Sequence, residues 1–458
     1  MTADSLTYRV TVDDVTEAAT RPRVLTRGDI VGAGLAATVV AAAFVVPRIA
    51  GEQWRGTLYA GAAPIFGNWL PHTGWGTVPA IAAAAVVVMH GPAVAERLRW
   101  RRLLAAAWVA AVVWAFSLAM VDGWQRGFAG RLTDPHEYLH EVGGVTDIPA
   151  MLRGFSGRIL DFQPDSWTAH VSGHPPGALM VFVLLDRAGL RGGVWAGAAC
   201  MLIGCSAVVA VAVALRALGA EDKARAALPF LVLAPAAVWV AVSADAMFAG
   251  VTAWGVALLA IACRPGGSPV AAVAGGAVLG VGVYLSYGLV LMAIPAAAVL
   301  VAGRTVRPLV PAILGALAVA AGFTLAGFWW LDGYHLVMDR YYQGIAAERP
   351  YVYWVWANLA ATLCAVGLAA APAVHRALAR HRLRSFDPTS LLVTAGLCAI
   401  LAADISGLSK AETERIWLPF DMWLLAATAF LPRAAARGWL AVQAAGTLLL
   451  AHMILTNW

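Results

Sequence analysis

Charge is what this 458-residue sequence has little of: 13% of its residues are Asp, Glu, Lys or Arg, against 61% hydrophobic. That balance excludes a soluble globular domain and leaves a polytopic membrane protein. Cysteine is also sparse. Cys200, Cys205, Cys263, Cys364 and Cys398 fall inside apolar runs, with no CxxC pair or Cys/His grouping, so neither a disulfide framework nor a zinc site is indicated. A signal peptide is missing too, because MTADSLTYRVTVDDVTEAATRPRVLTRGD has no hydrophobic core near Met1. Residues 1–29 therefore read as a cytoplasmic tail. The net charge of +6 does not point to nucleic acid: the arginines sit in short clusters between apolar runs, which is the positive-inside pattern of membrane proteins.

Residues 30–458 form one transmembrane domain, expected to be all-α. Its first spans run over about Ile30 to Val46, Val78 to Val94 and Leu103 to Val121. ERLRWRR, between the second and third, marks the cytoplasmic side, so the chain emerges outside after Val121. HPPGALMVFVLLDRAGL has an apolar core too short to cross about 30 Å of hydrocarbon and is expected to lie at the interface. With that assignment Arg264, Arg304 with Arg307, HRALARHRLR, and Arg433 with Arg437 all fall inside. Later spans are expected at about Val194 to Leu215, Ala226 to Val242 and Ala249 to Cys263, then a pair over about Val270 to Val301. About Leu309 to Phe328, Val355 to Ala371, Leu391 to Ala403, Ile416 to Leu431 and Ala441 to Leu455 complete roughly thirteen. Residues 122–193 make a large extracytoplasmic loop with a juxtamembrane helix, and 329–354 a second loop.

Within the first loop, RLTDPHEYLHEVGGVTDIPAMLRGFSGRILDFQPDSWTAHVSGHPPG concentrates acids and histidines in a chain that is otherwise apolar. Such groups are expensive in hydrocarbon, so the stretch reads as a solvated functional loop. Three further polar sites reach the same outer face: Asp245 in SADAMF, Tyr341 and Tyr342 in the aromatic loop, and Lys410, Glu412, Glu414 and Arg415 in SKAETERIW. Asp245 interrupts a run that is apolar from Leu228 to Cys263 and must be solvated or paired.

Three features in fixed order resemble the glycosyltransferase C superfamily of integral-membrane enzymes: TDPHEYL in a large outer loop after a span, His174-Pro175-Pro176 opening a juxtamembrane helix, and the acidic turn Ser243-Ala244-Asp245 two spans later. The resemblance covers about Val121 to Cys263 by motif and the remainder by topology. It differs in having an extra N-terminal hairpin and a diffuse acid motif. It implies a helical bundle in the plasma (inner) membrane that takes a sugar from a polyprenyl phosphate carrier. Transfer would be to an extracytoplasmic glycan or glycolipid, with inversion.

That chemistry needs a carboxylate to take the acceptor's proton and cations to stabilise the leaving phosphate. Asp134 is the first expectation for the base. Glu137 is the alternative, on one face with Asp134 and Glu141 if the segment is helical. His140, Glu141, His174, Asp245, Tyr341, Tyr342, Lys410, Glu412, Glu414 and Arg415 are the expected substrate-binding residues. Plainer readings stand beside these: Asp134 with Pro135 as a helix cap, His174 as a cap, the tyrosines as an aromatic belt, and Lys410 and Arg415 as partners of Glu412 and Glu414. No ligand spacing demands a metal, although a divalent ion between Asp134 and Asp245 is compatible with the chemistry. Mannose or arabinofuranose carriers are suggested by analogy alone. A transporter or lipid flippase is the competing class; against it, the acids gather at one face and no span carries a charge at its centre.

Overall fold

The structure is a computed structural model and describes residues 26–457; the tail expected over 1–29 lies outside it up to residue 25. The described chain is a helical bundle whose sole sheet pairs β1 (Gly67–Trp69) antiparallel with β2 (Ile454–Thr456). α1 spans Arg27–Ile49, starting three residues before the expected span because Thr26 and Asp29 form a reciprocal capping box. α2 (Thr77–Arg97) and α3 (Trp100–Ala119) follow, and the acid-rich stretch then folds as short helical turns. α4 (Pro176–Arg187) has 12 residues, about 18 Å at 1.5 Å per residue and too short to cross a membrane. Pro175 and Pro176 open it, where a missing N–H costs nothing.

The rest of the bundle comprises α5 (Gly193–Ala217), α6 (Glu221–Val232), α7 (Ala244–Ala262), α8 (Pro269–Leu285), α9 (Tyr287–Ala302), α10 (Leu309–Leu325) and α11 (Trp330–Gln343). It closes with α12 (Tyr351–Val366), α13 (Pro388–Ile405), α14 (Leu418–Phe430) and α15 (Arg433–Met453). The chain is an all-α polytopic membrane protein. Among the described residues seven helices are long and apolar enough to span, or up to nine if each bent pair is one span, with α8, α9 and α14 shorter.

The expected thirteen is thus not reached, and the reasons are local. The segment expected over Ala226 to Val242 breaks after Val232 and continues as a 3-10 turn from Pro235. Gln443 Nε2 donates to the carbonyls of Phe230 and Leu233 near that break, at 2.8 and 3.0 Å, satisfying backbone groups that no water could reach. The second loop is also mostly helix. α10 and α11 meet at 76°, and the turn between them uses Gly327 at φ +101°. α12 begins at Tyr351 and bends by 102° into Ala370–Ala377.

The two ends of the bundle differ in charge. At one end Arg376 holds Asp29 through Nε and Nη2 at 2.7 and 2.6 Å, Arg225 reaches the carbonyls of Ala95 and Leu98, Lys223 pairs with Asp387 at 3.3 Å, and Arg304 donates to Ser385 O. The basic clusters therefore share one end. The acid-rich stretch, the start of α7, the turn after α13 and the β1–β2 ribbon share the other.

With lipid on the outside, helices gain from close van der Waals packing and not from hydrophobic exclusion, so small residues line their contacts. A Cβ on Gly276 of α8 would lie 1.8 Å from Ala312 O in α10. Gly276→Val should cost about 1–3 kcal/mol by overpacking, read as a lowered unfolding midpoint in detergent. Gly322→Val, where a Cβ meets nothing within 4 Å, should leave the midpoint near that of the parent.

Candidate functional site

After α3 the chain makes a turn of π-helix over Gln125–Ala129 and one of 3-10 helix over Arg131–Thr133. Asp134 then forms an Asx-type turn, its Oδ1 accepting from His136 N at 3.0 Å and His136 Nδ1 at 2.8 Å. The next helix starts only at Tyr138, with Glu137 as N-cap residue, so Asp134 and Pro135 do not cap it. The helical alignment expected for Asp134, Glu137 and Glu141 is absent. Asp134 keeps 36% of its side chain exposed, whereas Glu137 keeps 4%. Glu141 turns aside to accept from Thr168 N at 3.0 Å and to face Arg158 at 3.5 Å.

Glu137 sits in a buried charged cluster. His170 Nε2 lies 3.6 Å from its Oε1, and His170 N donates to His136 O at 3.1 Å, tying the HPP turn to the acidic turn. His174 Nδ1 is 2.8 Å from His170 O. The Tyr138 ring packs against His174, and against Phe182 at 5.1 Å between centroids. His174 also meets Phe248 of α7.

The opposite wall comes from SKAETERIW. Arg415, buried, pairs through Nη1 with Asp245 and through Nη2 with Glu412 at 2.8 Å. Ser243 Oγ donates to the same Asp245 oxygen at 2.9 Å and accepts from Asp245 N at 3.0 Å. Asp245 is therefore paired, as its place in an apolar run requires. The turn itself is strained: Ala411 and Glu412 adopt φ of +71° and +64°, and such residues persist only when their surroundings hold them. Asn358 does part of that, accepting from Ala411 N at 3.3 Å and donating to Ser409 O at 2.7 Å and Asp404 Oδ1 at 2.9 Å. Arg349 adds a contact of 3.3 Å to Glu412 and 2.7 Å to Lys410 O.

The remaining expected residues take structural contacts. Lys410 and Arg415 do not both pair with Glu412 and Glu414: Lys410 Nζ donates to Ala346 O at 2.9 Å and sits 5.5 Å from the Tyr342 ring, while its N–H donates to Tyr341 Oη at 3.0 Å. Glu414 is fully buried and accepts from Phe66 N at 2.8 Å. His140 is exposed. Arg131 and His170 belong to the cluster although sequence reasoning did not single them out. His170 precedes His174 by one helical turn and Arg131 precedes Asp134 by three residues, signals too slight to separate from ordinary loop polarity.

Burial raises the Glu137 carboxyl to about 7, with Asp245 and Asp134 adding to the rise and Arg415 and Arg131 opposing it. The His136 amide holds Asp134 below its usual value. Burial lowers both His170 and His174, keeping the imidazoles neutral. For Arg415 burial favours deprotonation, but Asp245, Glu412 and Glu137 outweigh it and keep the guanidinium charged. Asp245, one of the two carboxylates expected to share a divalent ion, is paired with a guanidinium. Among the described residues no group of three or more His, Cys, Asp or Glu is placed to hold a metal ion.

No protein-family model matches the chain, and no curated protein matches it at a significant level. One solved structure is similar. It is ArnT from Cupriavidus metallidurans in the apo state, at 19% identity and a TM-score of 0.44. The match covers 71% of this chain and 60% of that one, so the chain spans less than two thirds of the protein it resembles. A likeness this distant transfers no activity from ArnT, and the functional reading rests on the site.

The raised Glu137 carboxyl has a signed consequence. Its folded value of about 7 exceeds the ordinary value of 4.5, so the folded state binds its proton more tightly and loses stability as pH rises from about 4.5 to 7. Glu137→Gln cannot titrate. Its unfolding midpoint should therefore rise relative to the parent's as pH goes from 5 to 8, measured by thermal unfolding in detergent; a constant offset would remove Glu137 from the buried cluster.

Proposed function

We propose that this chain is a glycosyltransferase of the glycosyltransferase C kind, moving a sugar, mannose or arabinofuranose, from a polyprenyl phosphate carrier to an extracytoplasmic glycan or glycolipid. The observation that carries the reading is the convergence of all three motif segments: Asp134 and Glu137, His174 before its two prolines, and Asp245 meet at one end of the bundle, joined there by Arg415. Separate structural roles would give these segments no reason to meet.

Asp134 acts as the base in this reading. An acceptor hydroxyl can reach its partly exposed carboxylate, whereas Glu137 is sealed. As Asp134 takes the proton, the acceptor oxygen bonds to the anomeric carbon from one face and the carbon–oxygen bond to the carrier phosphate breaks on the other. The phosphate leaves with the bonding pair and the anomeric centre inverts. Arg131 and Arg415 supply positive charge toward the leaving phosphate, with His174 beside them. Because Arg415 is buried and doubly paired, removing it should cost about 3–5 kcal/mol of stability, so it is a poor probe of carrier binding.

Asp134→Asn should lower turnover of a polyprenyl-phosphate-linked sugar by about 10² or more while leaving folding intact, with a smaller loss for Glu137→Gln. Because Asp134 titrates low, the rate should show no acid limb between pH 8 and pH 5. A limb near 7 that disappears in Glu137→Gln would move the base to Glu137, and activity in both variants would remove the acidic loop from the reaction.

The site lies on the extracytoplasmic side of the plasma membrane in this proposal, with the basic end in the cytoplasm. Single cysteines at 134 and 412 should accept an impermeant label from outside, and one at 304 should not. The reverse pattern would invert the frame.

One observation favours the transporter or flippase reading. Asp421 in α14 is buried and neither carboxylate oxygen has a hydrogen-bond partner; it lies within the span expected at about Ile416 to Leu431, and acids inside spans mark ion pathways in coupled transporters.

A further inference from the structure

A wide cavity lies remote from the charged cluster. It has a volume of ≈ 420 Å³ and lies between α1, α12 and α15. Its walls are apolar, with Val40, Phe44, Leu363, Leu450 and Met453 among them. The polar groups in the wall spend their donors inside the protein: Gln443 Nε2 on the carbonyls of Phe230 and Leu233, and Thr447 Oγ1 on Gln443 O at 2.8 Å. A seam of this kind suits a hydrocarbon chain, each buried methylene contributing about 0.8 kcal/mol.

One end of the seam is charged. Arg48 lines the cavity, and its guanidinium lies 5.0 Å from the centroid of the Trp69 ring. Trp69 is held in place by the pairing of β1 with Ile454 of β2. Asp29, at the other end of α1, belongs to the basic end of the bundle. Nineteen residues separate it from Arg48, about 28 Å along a helix, close to the thickness of the hydrocarbon layer of about 30 Å. Arg48 therefore stands at headgroup level on the side of the charged site, where a cation opposes the positive-inside bias that accounts for the arginine clusters at the basic end.

We infer that the seam between α1 and α15 binds one anionic glycerophospholipid of the surrounding bilayer, an acyl chain filling the cavity and the headgroup phosphate on Arg48. Among the residues lining the cavity Arg48 alone is charged and no carboxylate is present. The site thus offers a phosphate a cation but no base, which favours a resident lipid held without reaction over the lipid that donates a sugar. The bound lipid seals α1 against the bundle, where the protein leaves a gap.

Native mass spectrometry of the detergent-purified protein with palmitoyl-oleoyl phosphatidylglycerol or phosphatidylcholine tests this. One phosphatidylglycerol should be retained in preference to phosphatidylcholine. Arg48→Ala should cut that preference about fivefold, the worth of one basic residue at a lipid surface, and Arg48→Lys should keep most of it. Gly446 lines the cavity and a Cβ there meets nothing within 4 Å, so Gly446→Leu should fill the seam and lower retention of both lipids. Equal retention of the two lipids by the parent, or retention indifferent to Arg48→Ala and Gly446→Leu, would overturn the assignment. So would decaprenyl phosphate displacing phosphatidylglycerol at equal concentration, which would make the seam a carrier site.

Discussion

A buried ion pair, Arg415 with Asp245, is the constraint on which the site depends. Neither charge could be buried alone without a large cost: burying a carboxylate or guanidinium costs several kcal/mol that close pairing and further hydrogen bonds offset. The pairing is close, and Ser243 and Glu412 add hydrogen bonds to Asp245 and Arg415. The pair joins residues 170 apart in sequence, fixing the first turn of α7 against the turn between α13 and α14. That turn then holds Glu412 in its left-handed conformation, and its Arg415 opposes the rise that burial gives the Glu137 carboxyl. Glu137, His170 and the HPP turn form the third side.

The distribution of charge between the two ends follows from the same economy. Arginines at the basic end find carboxylates or carbonyls within reach, whereas the opposite end collects more acids than cations and buries part of them. Glu137, Glu414 and Asp245 are all buried there. An end built in this way is unfavourable unless its surplus negative charge is protonated, paired or used, which is why the chemistry is sought there. Elsewhere the bundle relies on small residues for close contact, as at Gly276, and it leaves a wide gap beside α1.

Much of this was legible in the sequence. The class followed from composition, the short HPP helix from its length, and the need of Asp245 for a partner from its apolar setting. The identity of that partner was not legible, because no local pattern links positions 245 and 415. The supposed common face of Asp134, Glu137 and Glu141 failed because Asp134 bonds its own turn and delays the helix to Tyr138. The count of thirteen is not confirmed where expected spans break, at Pro235 and Gly367, since apolar runs read as continuous whether or not the backbone bends. Arg131 and His170 were passed over because a loop rich in polar residues hides the few that fold inward.

The central claim is that the charged end performs group transfer. The fate of the carrier in sealed proteoliposomes, supplied with a radiolabelled polyprenyl-phosphate-linked sugar and a glycan acceptor, tests it most directly. Free polyprenyl phosphate appearing in step with labelled acceptor is the predicted result. Intact carrier moving to the opposite leaflet, with no label on the acceptor, would contradict it.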